Sequence, residues 1–162
     1  MKTASFWRIA ADTPAYVADD LTGRGAEKTG GRWNSTGTPM VYASSSIALA
    51  VLETLVHLGA CGLPLNRYLV RIDVPSDLVA SAARAQADRL VGWDALPAGK
   101  VSVDWGSTWC ASASSLVALV PSVIVAEEFN LLLNPRHADA AKVRATKIRK
   151  WLYDPRARLS AT

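Results

Sequence analysis

Residues 30–57 read GGRWNSTGTPMVYASSSIALAVLETLVH, and the fold is decided there. A glycine-rich turn ends in a short β-favouring run, MVYAS at 40–44, which reads as a strand. It passes directly into SSIALAVLETLVHLG, 45–59, the clearest helix in the chain. Ser44 to Ser46 offer an N-cap, Ala and Leu fill the interior, and Gly59 stands where a C-cap belongs. Glu53 is the only formally charged side chain between Arg32 and Arg67. Its helical neighbours at i−4, i−3 and i+3 are Leu49, Ala50 and Val56. One reading makes Glu53 the wet side of an amphipathic helix. The other is that a helix apolar nearly all round is buried, so that a carboxylate within it needs a partner or a task.

Outward from this stretch, SFWRIA (5–10) reads as a strand, and residues 12–39 as one long irregular segment with five glycines and two prolines. A loop of that length inside a compact domain is usually functional or mobile. NRYLVRIDVP (66–75) alternates as a strand ended by Pro75. AARAQADRL (82–90) suggests a short helix, and a further helix is expected around 104–115. SLVALVPSVIV (115–125) contains a buried strand interrupted at Pro121. FNLLLNP (129–135) is another strand, HADAAKV (137–143) a short helix, and TKIRKWLYD (146–154) a final strand. The expected architecture is α+β: one domain over 1–162 with a mixed, strongly bent sheet.

The chain has 162 residues, half of them hydrophobic and a fifth charged, which suits one globular core and excludes a disordered chain. The apolar runs are too short to span a bilayer, and the N-terminus lacks the apolar core of a signal peptide. The expectation is therefore a cytoplasmic protein. Two cysteines, Cys61 and Cys110, fit reduced thiols. His57 and Cys61 are spaced as a helical metal pair, but no second pair completes a structural zinc site, so no metal is expected. The net charge is +4, and residues 136–158 hold eight of the eighteen Lys and Arg. Those cations alternate with apolar residues as on a half-exposed strand. With no helix-turn-helix and no basic-aromatic platform, direct nucleic-acid binding is not expected.

Arg32 follows Gly30 and Gly31. Glycine lets a backbone approach a ligand, and Arg suits bidentate contact with phosphate or carboxylate. The segment is neither a Walker loop nor a GxGxxG turn. Tyr42 lies on the strand before the Glu53 helix. Ser122 follows Pro121 directly, and Asn130 and Asn134 bracket an apolar strand. There is no GxSxG elbow and there are only two histidines, which argues against serine hydrolysis.

Taken in order, GGRWNSTGTPMVYAS, ALAVLETLVH and VPSVIVAEEFNLLLNP, with WRI at 7–9, resemble the RES domain over about residues 5–155. That family is named for an Arg, a Glu and a Ser, here Arg32, Glu53 and Ser122. The resemblance implies a fold like that of ADP-ribosyltransferases and an enzyme with NAD as substrate and no further cofactor. Arg32, Tyr42 and Glu53 match the family's catalytic positions. Arg8, Ser122 and Asn134, with Arg32 and Tyr42, match positions of the NAD site. It further implies a toxin paired with an Xre-like DNA-binding antitoxin that covers the active site, with a toxin homodimer in the complex. The expected reaction is NAD depletion by hydrolysis or phosphorolysis of the nicotinamide–ribose bond. The alternatives are ADP-ribosylation of a host protein and a non-enzymatic binding module. Many protein-modifying transferases resemble one another in a Glu or Gln two residues before the catalytic Glu. That position is Val51 here, which counts toward a small nucleophile.

Overall fold

The computed structural model describes residues 1–58 and 62–157. Seven strands form one sheet: β1 (Thr3–Ala11), β2 (Val41–Ser44), β3 (Arg67–Pro75), β4 (Ala83–Arg84), β5 (Val117–Pro121), β6 (Phe129–Leu133) and β7 (Arg144–Trp151). Their order is β4-β5-β6-β2-β1-β3-β7. Only β4 and β5 run parallel; every other pair is antiparallel. The helices are α1 (Arg24–Thr29), α2 (Ile47–Leu55), α3 (Ser76–Ala80) and α4 (Lys100–Ser112). The expected α+β class and mixed sheet are present.

The two faces of the sheet carry different cores. Strand side chains alternate between faces. Phe6 of β1, Val41 and Ala43 of β2, Val70, Ile72 and Val74 of β3, Val117 and Leu119 of β5, and Leu131 and Leu133 of β6 pack together on one face. The other face is divided. At one end Ile9, Ala50 and Leu69 join, with α2 lying over them. At the other end Trp33, Trp93, Trp109, Ala118 and Leu132 join under α4. Central strands β5 and β6 are therefore apolar at nearly every position, as strands covered on both faces must be.

Several local expectations are corrected by tertiary context. The long irregular segment contains α1. Residues 76–80, where the sequence signal is weak, form α3. Residues 82–90 are not helical: Ala83 and Arg84 pair with Ala118 and Leu119 as a sheet edge, and turns follow. Ala83 and Ala85 pack beside the tryptophan core, so burial overrides the helix preference of an Ala- and Arg-rich run. The helix expected over 104–115 begins at Lys100 and ends at Ser112, where Ala113 turns left-handed at φ 48°. Residues 137–143 form only a three-residue 3-10 turn, Ala140–Lys142, and the last strand starts two residues early at Arg144. The Glu53 helix is shorter than expected, and the Gly59 cap lies outside the described residues. Ser46 does cap it, accepting the Leu49 N–H at 3.1 Å. Nor is that helix buried all round. Leu49 and Ala50 are enclosed, while Ala48, Leu52 and Val56 face outward, with Leu52 39% and Val56 54% exposed. Among the described residues nothing covers the back of this nine-residue helix, which lies on one end of one sheet face.

Candidate active site

Glu53 is half-buried at the edge of the inward face of α2, one turn beyond Leu49 and Ala50. Two side chains donate to the same carboxylate oxygen: Asn130 Nδ2 at 2.6 Å and Ser122 Oγ at 2.9 Å, both to Oε1. The other oxygen, Oε2, has no partner among the described residues and is not enclosed. Glu53 thus presents one fixed oxygen and one open oxygen.

Ser122 is fully enclosed. The bend after Pro121 lets its oxygen accept the N–H groups of Ile124 and Val125, each at 3.1 Å. With its acceptor capacity filled, the hydroxyl has only its proton to give, and it gives it to Glu53. That geometry suits a holder of the carboxylate and not a nucleophile. Asn130 lies on β6 opposite Ser44 of β2, and Ser44 Oγ donates to Asn130 Oδ1 at 2.7 Å.

Tyr42 points to the same face as Ser44, two residues away and so ~7 Å along the strand. Its hydroxyl donates to Asn34 Oδ1 at 2.6 Å and accepts the Trp33 N–H at 3.0 Å. It therefore ties down the turn that carries Arg32. Gly31 is required by this contact: a Cβ there would lie 2.8 Å from the Tyr42 hydroxyl and 2.9 Å from Asn34 Oδ1. Burial pushes the Tyr42 phenol well above the usual tyrosine range, against the opposing pull of the Trp33 N–H and the Arg32 charge. Arg32 itself uses Nη1 to bridge the carbonyls of Trp93 and Ala95, each at 2.9 Å. The turn is clamped from the other side by α4, where Ser107 Oγ accepts the Ser35 N–H at 3.0 Å and Gly106 lies against the Trp33 carbonyl.

The structure thus joins Glu53, Ser122 and Tyr42 on one sheet face, with the Arg32 turn anchored to Tyr42. Arg8 and Asn134 stand apart from this group. Trp7 pairs with Ser44, so Arg8, its neighbour, points to the opposite face. There its Nη2 donates to the carbonyls of Ala18 and Asp20, its Nε is enclosed without a partner, and burial lowers its pKa. Asn134 is fully enclosed at the far end of β6. It donates to the Cys110 carbonyl at 2.8 Å and accepts from the Arg136 N–H at 3.0 Å and the Cys110 thiol at 3.3 Å. That network fastens the end of α4 to the sheet.

Asn130 and Ser44 are members of the group that the sequence did not single out for a role. Alternation could have found them: on β2 and β6 they are the polar residues two positions from Tyr42 and Leu132, on a face otherwise apolar. His57 is exposed and its possible metal partner, Cys61, lies outside the described residues.

The RES domain family model matches residues 5–155. The chain is 61% identical over 155 residues to the Prs ADP-ribosylating toxin of Sphingobium sp. (strain YBL2), covering 95% of this chain and 96% of that protein. It is 42% identical over 122 residues to Toxin Res of Yersinia enterocolitica, covering 75% and 79%, respectively. To Toxin Res of Pseudomonas putida it is 36% identical over 156 residues, covering 94% and 97%. With the family match running nearly end to end and relatives of this similarity named as toxins, the chain belongs to the RES domain family of toxins.

Proposed function

We propose that this toxin consumes NAD by breaking the nicotinamide–ribose bond and passing ADP-ribose to an acceptor. The observation that carries the reading is the Glu53 carboxylate, with Oε1 held by two donors and Oε2 left open. When the bond breaks, its electron pair leaves with nicotinamide, which departs neutral, and positive charge develops on the ribose as in glycoside cleavage. A carboxylate fixed beside that ribose stabilises the charge without having to reorganise. Arg32 retains guanidinium donors beyond Nη1 for the pyrophosphate. Ser122 holds Glu53, Tyr42 sets the Arg32 turn, and Arg8 and Asn134 serve the site by holding its surrounding segments. No further cofactor or metal is called for by this chemistry.

A protein side chain is the acceptor supported best, because the relative at 61% identity is named an ADP-ribosylating toxin. Val51 does not weigh against it. Two residues on a helix are ~200° apart, and Val51 packs into the Ile9–Leu69 core. A side chain at that position is turned away from Glu53 whatever its type. Hydrolysis and phosphorolysis use the same bond-breaking step with water or phosphate as acceptor. An Xre-like antitoxin covering the Glu53 site, and a toxin homodimer within that complex, complete the proposal. The compartment is the cytoplasm, where NAD and such a partner meet; no helix among the described residues is long and apolar enough to cross a membrane.

The test is purified protein with adenylate-labelled NAD, with and without cell lysate and phosphate. The expected result is nicotinamide release and a labelled protein band. Label appearing only in free ADP-ribose or in a phosphate adduct would move the acceptor to water or phosphate. Glu53→Gln should lower release by ~10²-fold or more at an unchanged melting temperature. Growth arrest with no loss of NAD and no labelled protein would overturn the proposal.

A further inference from the structure

We infer that Ser44 and Asn130 form a positioning pair for Glu53, acting on turnover and not on NAD binding; this rests on the function proposed above. An asparagine amide can face a carboxylate with either its oxygen or its nitrogen, and only the nitrogen is attractive. The acceptor-only Glu53 takes Nδ2, at 2.6 Å from Oε1, and Oδ1 at the far end of the amide then accepts the Ser44 hydroxyl at 2.7 Å, so that Ser44 tethers the amide in this orientation. The pair is built into the sheet: Ser44 and Asn130 are register partners on β2 and β6. Ser44 is enclosed, and no other side-chain hydrogen bond of Ser44 occurs among the described residues. Ser122 alone would leave Glu53 free to turn about one contact. Two donors, one on β6 and one in the bend after β5, converge on one oxygen, fix the plane of the carboxylate and direct Oε2 outward. Since a misplacement of ~1 Å costs up to 10²-fold in rate, the effect belongs in kcat.

The experiment compares wild type, Ser44→Ala, Asn130→Ala and the double variant in nicotinamide release, with NAD affinity measured separately by calorimetry on each full-length protein. Asn130→Ala should lower kcat by ~10- to 100-fold, with NAD affinity within about twofold. Ser44→Ala should lower kcat less, also without a change in affinity. In the Asn130→Ala background, Ser44→Ala should cost nothing more, because its only route to Glu53 has gone. Should Asn130→Ala fail to fold, Ser44→Ala, which removes a single buried oxygen, still reads the kcat–affinity split. Independent, multiplying losses, a loss confined to NAD affinity, or full activity in Ser44→Ala and Asn130→Ala would overturn the pair while leaving the NAD reading in place. Wild-type protein that releases no nicotinamide would overturn both.

Discussion

Gly106→Ala sets two physical effects against each other, and the structure decides the sign. Gly106 lies inside α4, where alanine is worth ~1 kcal/mol in helix preference. By that measure alone the variant is more stable. In the folded protein, however, an added Cβ would lie 1.9 Å from the Trp33 carbonyl oxygen and 2.8 Å from its carbon, whereas ordinary contact begins at 3.4 Å. The Arg32 turn and α4 must therefore part by 1.5 Å, the difference between those two distances. Both clashing groups belong to backbone segments, so no rotamer change relieves them. Overpacking of this kind costs ~1–3 kcal/mol, occasionally more. Separation also loosens Trp33 from Trp105, with ring centroids 5.6 Å apart, a contact worth ~0.5–1.5 kcal/mol. Set against the helix gain, the net loss is ~0.5–3.5 kcal/mol. That corresponds to a fall in melting temperature of ~1–14 °C for a chain of this size. Because Trp33 adjoins Arg32, NAD affinity should fall as well, at a temperature where the variant is still folded. The measurements are urea denaturation, thermal melting and calorimetric NAD titration. A variant as stable as wild type, with unchanged NAD affinity, would refute the tight α4 contact.

Tyr42→Phe should destabilise by ~1–3 kcal/mol, because it orphans the Trp33 N–H and removes the Asn34 contact. The same variant should alter alkaline stability. Burial raises the Tyr42 pKa in the folded state, so the unfolded chain loses its proton first, and stability falls as pH rises above the ordinary tyrosine value of about 10. Phenylalanine should remove that component, as read by denaturation at stepped pH. At the acid end, the Lys147 ammonium bonds both oxygens of Asp12 at 2.9 Å, and this contact lowers the Asp12 pKa. The resulting stability is present above the ordinary carboxylate range and is lost as pH falls through the depressed folded value. Lys147→Met should flatten that acid limb, measured between about pH 5 and 2.

Most strands were legible because alternation, or a short apolar run stopped by a proline, reports burial. FNLLLNP and NRYLVRIDVP could hardly be read otherwise, and Phe129–Leu133 and Arg67–Pro75 are strands. Local preference failed where contact outweighed it. Ala83 and Arg84 became a strand because β5 offered an edge, and no property of AARAQADRL announces that edge. Glu53 stood out because charge is scarce between Arg32 and Arg67. Of the two readings of the Glu53 helix, the enveloped one failed because a sequence shows the apolarity of each face but not whether a neighbour exists to cover it.

The sequence by itself determined the class of fold, the family, and the isolation of Glu53 as a carboxylate in need of partners. Residue type and spacing carry that information. It took tertiary structure to decide who the partners are. Asn130 and Ser122 lie 77 and 69 positions from Glu53, and only the β2–β6 register and the bend after Pro121 bring them to one oxygen. Hydrogen bonds act over about 3 Å, a distance that spacing along the chain does not encode. Tertiary contact likewise turned the Gly-Gly-Arg motif from a flexible turn into a clamped one. Gly31 leaves room for the Tyr42 hydroxyl, and Gly106 leaves room for the Trp33 carbonyl.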